Sequence, residues 1–141
     1  MNIARYIMLM RCTRYPSKRI EVDPRAKGRE IVNKLITTHL PGLPIIAGNR
    51  REVTGVVTEF NVLGALREGM DPDSFTAERI MTGHPVTAEL DTPVEELIET
   101  MLENNFTMIP VTKNGQLAGI IDRCSIMELL ISPALERYSR I

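Results

Sequence analysis

Residues 106–130 read FTMIPVTKNGQLAGIIDRCSIMELL, and residues 40–66 read LPGLPIIAGNRREVTGVVTEFNVLGAL. Each stretch holds an apolar-Pro-apolar tripeptide, a polar turn, a Gly-apolar-apolar run and an amphipathic tail. When the two are aligned, Pro44 falls on Pro110, and at the same offset Ile31, Val32 and Leu35 fall on Leu97, Ile98 and Met101. After the turn the offset drops by two. Gly55, Val56 and Val57 then fall on Gly119, Ile120 and Ile121, and Val62 and Leu66 fall on Ile126 and Leu130. Apolar positions and two punctuating residues match while polar positions drift, as in repeats that preserve a shared core.

Each half reads locally as strand, helix, strand, strand, helix. In the second half PVTAEL is a short strand. TPVEELIETMLENN is a helix, with Thr92 suited to the N-cap, Pro93 to the first helical position and Glu95, Glu96 and Glu99 to the positive end. Val94, Leu97, Ile98, Met101 and Leu102 form its apolar stripe. MIPVT and LAGII are strands joined by KNGQ, where Asn-Gly signals a two-residue hairpin. SIMELLI is a second helix, stopped by Pro133. The first half repeats this with KRIEV, GREIVNKLITTHL, LPIIA, VTGVVT and NVLGALREG, and its longer turn GNRRE absorbs the two extra residues. Between the halves, FTAERIM is expected to form a short helix. Met81, Met101, Met108 and Met127 read as core filler.

The fold class is thus α/β (α+β), two β-α-β-β-α repeats packed about a pseudo-two-fold axis. The expected organisation is a basic arm at 1–19, repeat 1 at 20–68, a linker with a short helix at 69–82, repeat 2 at 83–132 and a tail at 133–141. Neither half of about 60 residues buries enough surface to stand alone, so each covers the other's sheet. The cleft between them is a natural ligand site.

Bulk properties set further bounds. The 141 residues are 43% hydrophobic and 25% charged, ordinary for a folded chain, and the net charge of −1 gives no overall match to nucleic acid or anionic lipid. Charge is uneven: residues 1–30 are rich in Arg and Lys, and ten acids lie between Glu68 and Glu103. These read as solvated faces that attract one another, or as a partner's docking surface. Cys12 and Cys124 lie far apart without metal-ligand spacing and are expected to be small buried thiols in a reducing compartment. No signal-peptide pattern or membrane-length apolar run is present, so a cytoplasmic location is expected.

With repeat, strand order and hairpin in place, the chain resembles a tandem pair of cystathionine-β-synthase-type (CBS) domains, a Bateman module. The resemblance rests on RIMTGHPVTAELDTPVEELIETMLENNFTMIPVTKNGQLAGII in the second half, with its IMT opening, D-x-P helix start, apolar-Pro-Val strand and Gly-apolar-apolar strand. It covers roughly residues 20–131. It implies a homodimeric module that binds an adenosine-containing ligand such as AMP, ADP, ATP or S-adenosylmethionine. Such modules sense energy or metabolite state and transmit it to an attached enzyme, channel or transporter, and here the output is expected to act through a separate protein. No cofactor is required.

The ligand signature of that family is Gly-apolar-x-[Ser/Thr]-x-x-[Asp/Asn]. The hydroxyl, at a helix N-terminus, meets phosphate, and the acid or amide meets ribose hydroxyls. GVVTEFN matches it with Thr58 and Asn61, and the resemblance completes that site with Gly83, His84, Pro85 and Val86. GIIDRCS departs from it: Asp122 would repel phosphate, Ser125 is short for ribose, and Arg123 would compensate only in part. That degenerate site would use Ile20 and Val22. Read from the residues alone, Thr58 and Asn61 serve equally as helix caps, and Asp122 and Ser125 read first as caps. His84 reads first as a surface histidine, and His39 as a helix-end cap.

No nucleotide-binding glycine loop, HExxH or Cys-His cluster occurs, so neither catalytic nor metal-binding residues are expected and the chain reads as a non-enzyme. Neither a membrane nor a nucleic-acid role fits. The alternative to a nucleotide sensor is a ligand-free dimerisation and protein-interaction module.

Overall fold

The computed structural model describes residues 20–131. The arm at 1–19, Cys12, Pro133 and the tail at 133–141 lie outside the described residues. The first half runs α1 (Gly28–Thr38), β1 (Gly42–Ala47), β2 (Glu52–Thr58) and α2 (Glu59–Arg67). A connection follows with α3 (Ala77–Ile80) and β3 (Thr82–Gly83). The second half runs β4 (Ala88–Glu89), α4 (Val94–Asn104), β5 (Met108–Lys113), β6 (Gln116–Asp122) and α5 (Arg123–Ile131).

The repeat is reproduced residue for residue. α4 begins and ends 66 positions after α1 (94 − 28 and 104 − 38), and β5 stands 66 after β1. β6 and α5 stand 64 after β2 and α2 (116 − 52 and 131 − 67). The missing two residues come out of the hairpin turn. Asn114 and Gly115 both have positive φ, 54° and 80°, as a two-residue hairpin turn requires. The first hairpin spends residues 48–51 on the same reversal, with Ala47 facing Glu52. Even irregularities repeat, for the ladder shifts register between Ile45 and Ile46 and again between Val111 and Thr112. Helices α1 and α4 both end on a left-handed residue, His39 (φ 57°) and Asn105 (φ 54°), whose N–H returns to the carbonyl four residues back.

One sheet carries both halves, in the order β1-β2-β6-β5-β4, with β3 on β2 outside that path. Val22 makes a parallel bridge to Ile45, as Ala88 does to Val111. The sheet is continuous across the pseudo-axis because Glu52 of β2 pairs antiparallel with Gln116 of β6, two equivalent positions. A Cβ on Gly42 would sit 2.7 Å from the Met108 sulfur, so these equivalents touch as well.

Two apolar clusters lie under the helices. One gathers Leu97, Met101, Ile109, Val111, Ile121 and Ile126, all from the second half. The other gathers Val22, Ile31, Leu43, Ile45 and Val57 with Met108 and Ile120. The first half therefore packs against side chains of the second.

The connection is built into the fold. Gly28 and Arg29 donate their N–H groups to Phe75 and Pro72 carbonyls (3.0 Å each), satisfying donors at the start of α1. The Phe75 ring is buried against Gly28, where a Cβ would lie 2.3 Å from it. Arg29 also donates to both carboxylate oxygens of Asp73 (2.6 and 2.9 Å), and these bonds hold the Asp73 carboxyl below its ordinary range.

Several expectations are corrected. α4 is capped by Pro93, with extended φ and ψ, and not by Thr92. The Thr92 hydroxyl accepts from Glu89 N–H (3.0 Å) in the preceding turn, which takes it away from the helix. PVTAEL shortens to Ala88–Glu89, and KRIEV contributes only the Val22 bridge among its described residues. Met127 is exposed on the outer face of α5 instead of filling the core, and Cys124 is exposed, not buried.

Candidate functional site

The site is assembled from both halves. Gly55 of β2 faces Gly83 of β3, and Val56 faces Thr82. A Cβ at Gly55 would lie 2.4 Å from the Met81 sulfur and 3.0 Å from the Thr82 carbonyl, so glycine is what permits this approach. Gly83 is thus a pairing residue that brings the chain alongside β2. His84 then turns it at φ 50°, a left-handed value unusual for a non-glycine residue and directly before Pro85. Strain of this sort gathers at ligand sites.

Beyond that turn lies a cavity of about 210 Å³. Val56, Thr58 and Phe60 form one wall, and Thr82, His84, Pro85 and Val86 form the second. Asn105, Phe106 and Thr107, with Met108 and Pro110 of β5, close the third. Four of the six residues assigned to the main site from sequence, Thr58, His84, Pro85 and Val86, therefore share one cavity. Asn61 and Gly83 are not on its lining.

Thr58 and Asn61 form a reciprocal cap on α2. Thr58 N–H and Oγ1 approach Asn61 Oδ1 at 2.8 and 3.0 Å, and Asn61 N–H donates to Thr58 Oγ1 at 3.2 Å. This is a capping box with asparagine in the reciprocating position. Asn61 faces a neighbouring groove of about 400 Å³ with Phe60, Glu68 and Arg79.

The residues assigned to the degenerate site are arranged differently. Asp122, buried, accepts from Ser125 N–H through Oδ1 (2.7 Å) across the first turn of α5. Ile20 and Val22 have their side chains in the core, and Val22 N–H and carbonyl are bonded to Pro44 and Ile46 of β1. Arg123 does not offset the Asp122 charge. Its guanidinium donates to the Phe106 carbonyl and to Asn105 Oδ1 (2.7 Å each), fastening the loop that closes the main cavity. Sequence reasoning missed Asn105, Phe106 and Thr107. The sequence places Asn105 opposite His39 at the end of the equivalent helix, but only tertiary closure aims that loop at Thr58.

Among the described residues, no group of three or more His, Cys, Asp or Glu side chains is placed to hold a metal ion, and no helix is long and apolar enough to cross a membrane.

The sequence profile of the CBS domain matches residues 77–132. The CBS domain protein PAE2072 from Pyrobaculum aerophilum, complexed with AMP, superposes with a TM-score of 0.77 at 24% identity, over 98% of this chain and 97% of that one. The CBS domain pair of protein MJ0100, in complex with 5′-methylthioadenosine and S-adenosyl-L-methionine, superposes with a TM-score of 0.76 at 23% identity, over 92% and 95% of the two chains. An uncharacterized protein of Methanopyrus kandleri is 29% identical over 109 residues, which are 76% of this chain and 55% of the relative. The chain thus spans about half the length of that relative. Residues 77–132 thus match the CBS domain, and the fold as a whole is that of a CBS domain pair.

Proposed function

We propose that this protein is a ligand-sensing regulatory module that binds an adenosine-containing small molecule between its repeats and signals to a separate protein. Residues 20–68 and 83–132 are the repeats on this reading, and 69–82 is the linker. The supporting observation is the cavity itself, to which the first half contributes Thr58 and the second contributes His84, Pro85 and Val86. Two proteins of like fold carry AMP, or 5′-methylthioadenosine and S-adenosylmethionine. A thermal-shift panel of AMP, ADP, ATP, NAD and S-adenosylmethionine tests the reading. Ligand at a hundred times its dissociation constant stabilises the fold by about 2.7 kcal/mol. Absence of any shift at millimolar ligand overturns it.

A second reading, self-association, is favoured by apolar side chains exposed in matched pairs. Ile36 (65% exposed) corresponds to Leu102 (77%), Leu63 (61%) to Met127 (56%), and Leu66 (42%) to Leu130 (56%). Exposed apolar faces of this extent seek cover, and two like faces fit a second copy of the chain in an isologous contact. Light scattering should report a homodimer with or without nucleotide, converted to monomer by Leu63→Glu with Met127→Glu. A monomeric wild-type chain overturns this reading.

A further inference from the structure

Each repeat presents one apolar face, and a second copy of the chain can cover the two faces in either of two ways. On the first repeat a groove of about 440 Å³ lies between α1 and α2, lined by Val32, Leu35 and Val62 and by the exposed Ile36, Leu63 and Leu66. On the second repeat Leu102 of α4 and Met127 and Leu130 of α5 stand exposed at the equivalent positions. Because a pseudo-two-fold axis relates the faces, a symmetric dimer can lay like on like or like on unlike, and both arrangements hide much the same apolar side chains. Burial does not choose between them. Charge does.

The faces have diverged in sign. Glu96, Glu99 and Glu103 form an exposed stripe along α4 at helical spacing, and Glu99 is one turn before Leu102. Among the described residues, none of the three has a basic side chain within ion-pair distance. The equivalent positions of α1 are Glu30, Asn33 and Thr37, and Glu30 has Lys34 at 4.0 Å. Arg29 is held by Asp73. Glu59 opens α2 and lines the groove, and Arg67 closes the same helix one turn after Leu63, so that these two balance. Glu68 faces a different groove with Arg79. On the second repeat the equivalents of Glu59 and Arg67 are Arg123 and Ile131, and the Arg123 guanidinium is turned to the Phe106 carbonyl and Asn105. The first face is therefore balanced, and the second carries a row of uncompensated glutamates.

Laid like on like, the acidic stripes of both copies would share one end of the interface, where loss of water strengthens their repulsion. Laid like on unlike, each stripe meets a balanced face that brings Arg67 to its rim. Building on the self-association reading above, we infer that two copies pair head to tail, the α1 and α2 face of one on the α4 and α5 face of the other. Each face includes a helix that starts at the cavity: α2 follows Thr58, and α5 begins at Arg123, which fastens the cavity's third wall. Head-to-tail pairing thus joins unlike walls of the two cavities.

Distances between spin labels on the full chain test the inference. In a background of Cys12→Ser and Cys124→Ser, one label is placed through Thr37→Cys on α1 or Asn104→Cys on α4, exposed positions near equivalent helix ends that leave every charge in place. Each singly labelled dimer should give a long same-site distance, and mixing the two should add a shorter distance between unlike sites. Same-site distances shorter than the mixed one overturn the inference and leave self-association standing. A chain that stays monomeric overturns both. The unaltered chain gives a second measure. Raising sodium chloride from about 0.05 to about 0.3 M, which shortens the screening length, should leave the dimer's dissociation constant unchanged or raise it. A dimer that tightens with salt holds its acidic faces together and overturns the inference.

Discussion

The Thr58 and Asp122 ends of the molecule occupy equivalent places, each closing a strand and opening a helix, yet they are built by different means. At the first end the Thr58 hydroxyl accepts from the Asn61 backbone N–H while Asn61 Oδ1 accepts from the Thr58 backbone N–H. At the second a buried carboxylate takes a single N–H from Ser125. The first end looks onto a cavity whose other walls come from the second repeat. The second end hands its neighbour Arg123 to that same cavity, as a fastener for residues 105 and 106. Duplicated halves need not keep duplicated roles. Here one end holds the pocket, and the other holds the pocket's wall.

Substitutions at paired positions test how far the equivalence runs. The largest effect is expected in the core. Ile31 and Leu97 are equivalent and both almost wholly buried, so Ile31→Ala and Leu97→Ala should each cost about 2–5 kcal/mol in urea unfolding. Both should lower one shared transition, because the halves are joined through one sheet and the first cluster borrows Met108 and Ile120. Two separate transitions would show that the halves fold independently. The smaller effect is expected at the caps. Thr58→Ala should cost about 0.5–2 kcal/mol by freeing the Asn61 N–H. Asp122→Ala should fall in the same range, and it alone should leave nucleoside affinity unchanged. A loss of affinity on removing the Asp122 carboxylate would place a second ligand at that end.

Much of the architecture was legible because it was written twice. The Pro44/Pro110 and Gly55/Gly119 alignment located every principal strand and helix, and Asn114-Gly115 announced its turn. What remained hidden depended on tertiary choices. Thr92 looked like the cap of α4, but its hydroxyl closes the turn before the helix. Met127 and Cys124 matched an apolar pattern whose orientation on α5 only packing decides. Of the cavity residues, Thr58 came from the motif, and His84, Pro85 and Val86 from the family resemblance. The commitment of Asn61 to its cap could not be read this way, since capping and ribose binding ask for the same residue type. Nor could the reach of Arg123, which bonds to a loop 17 and 18 positions away.

The pairing of Glu52 with Gln116 has a wider consequence. Had two identical chains met along this line, symmetry would have set Glu52 against another Glu52, and opposed carboxylates on neighbouring strands repel. Joining the copies into one polypeptide lifts that rule: a position lying on the axis may hold an acid on one side and an amide on the other, or a glycine beneath a methionine. Fusion bought the freedom to mutate one copy without its twin.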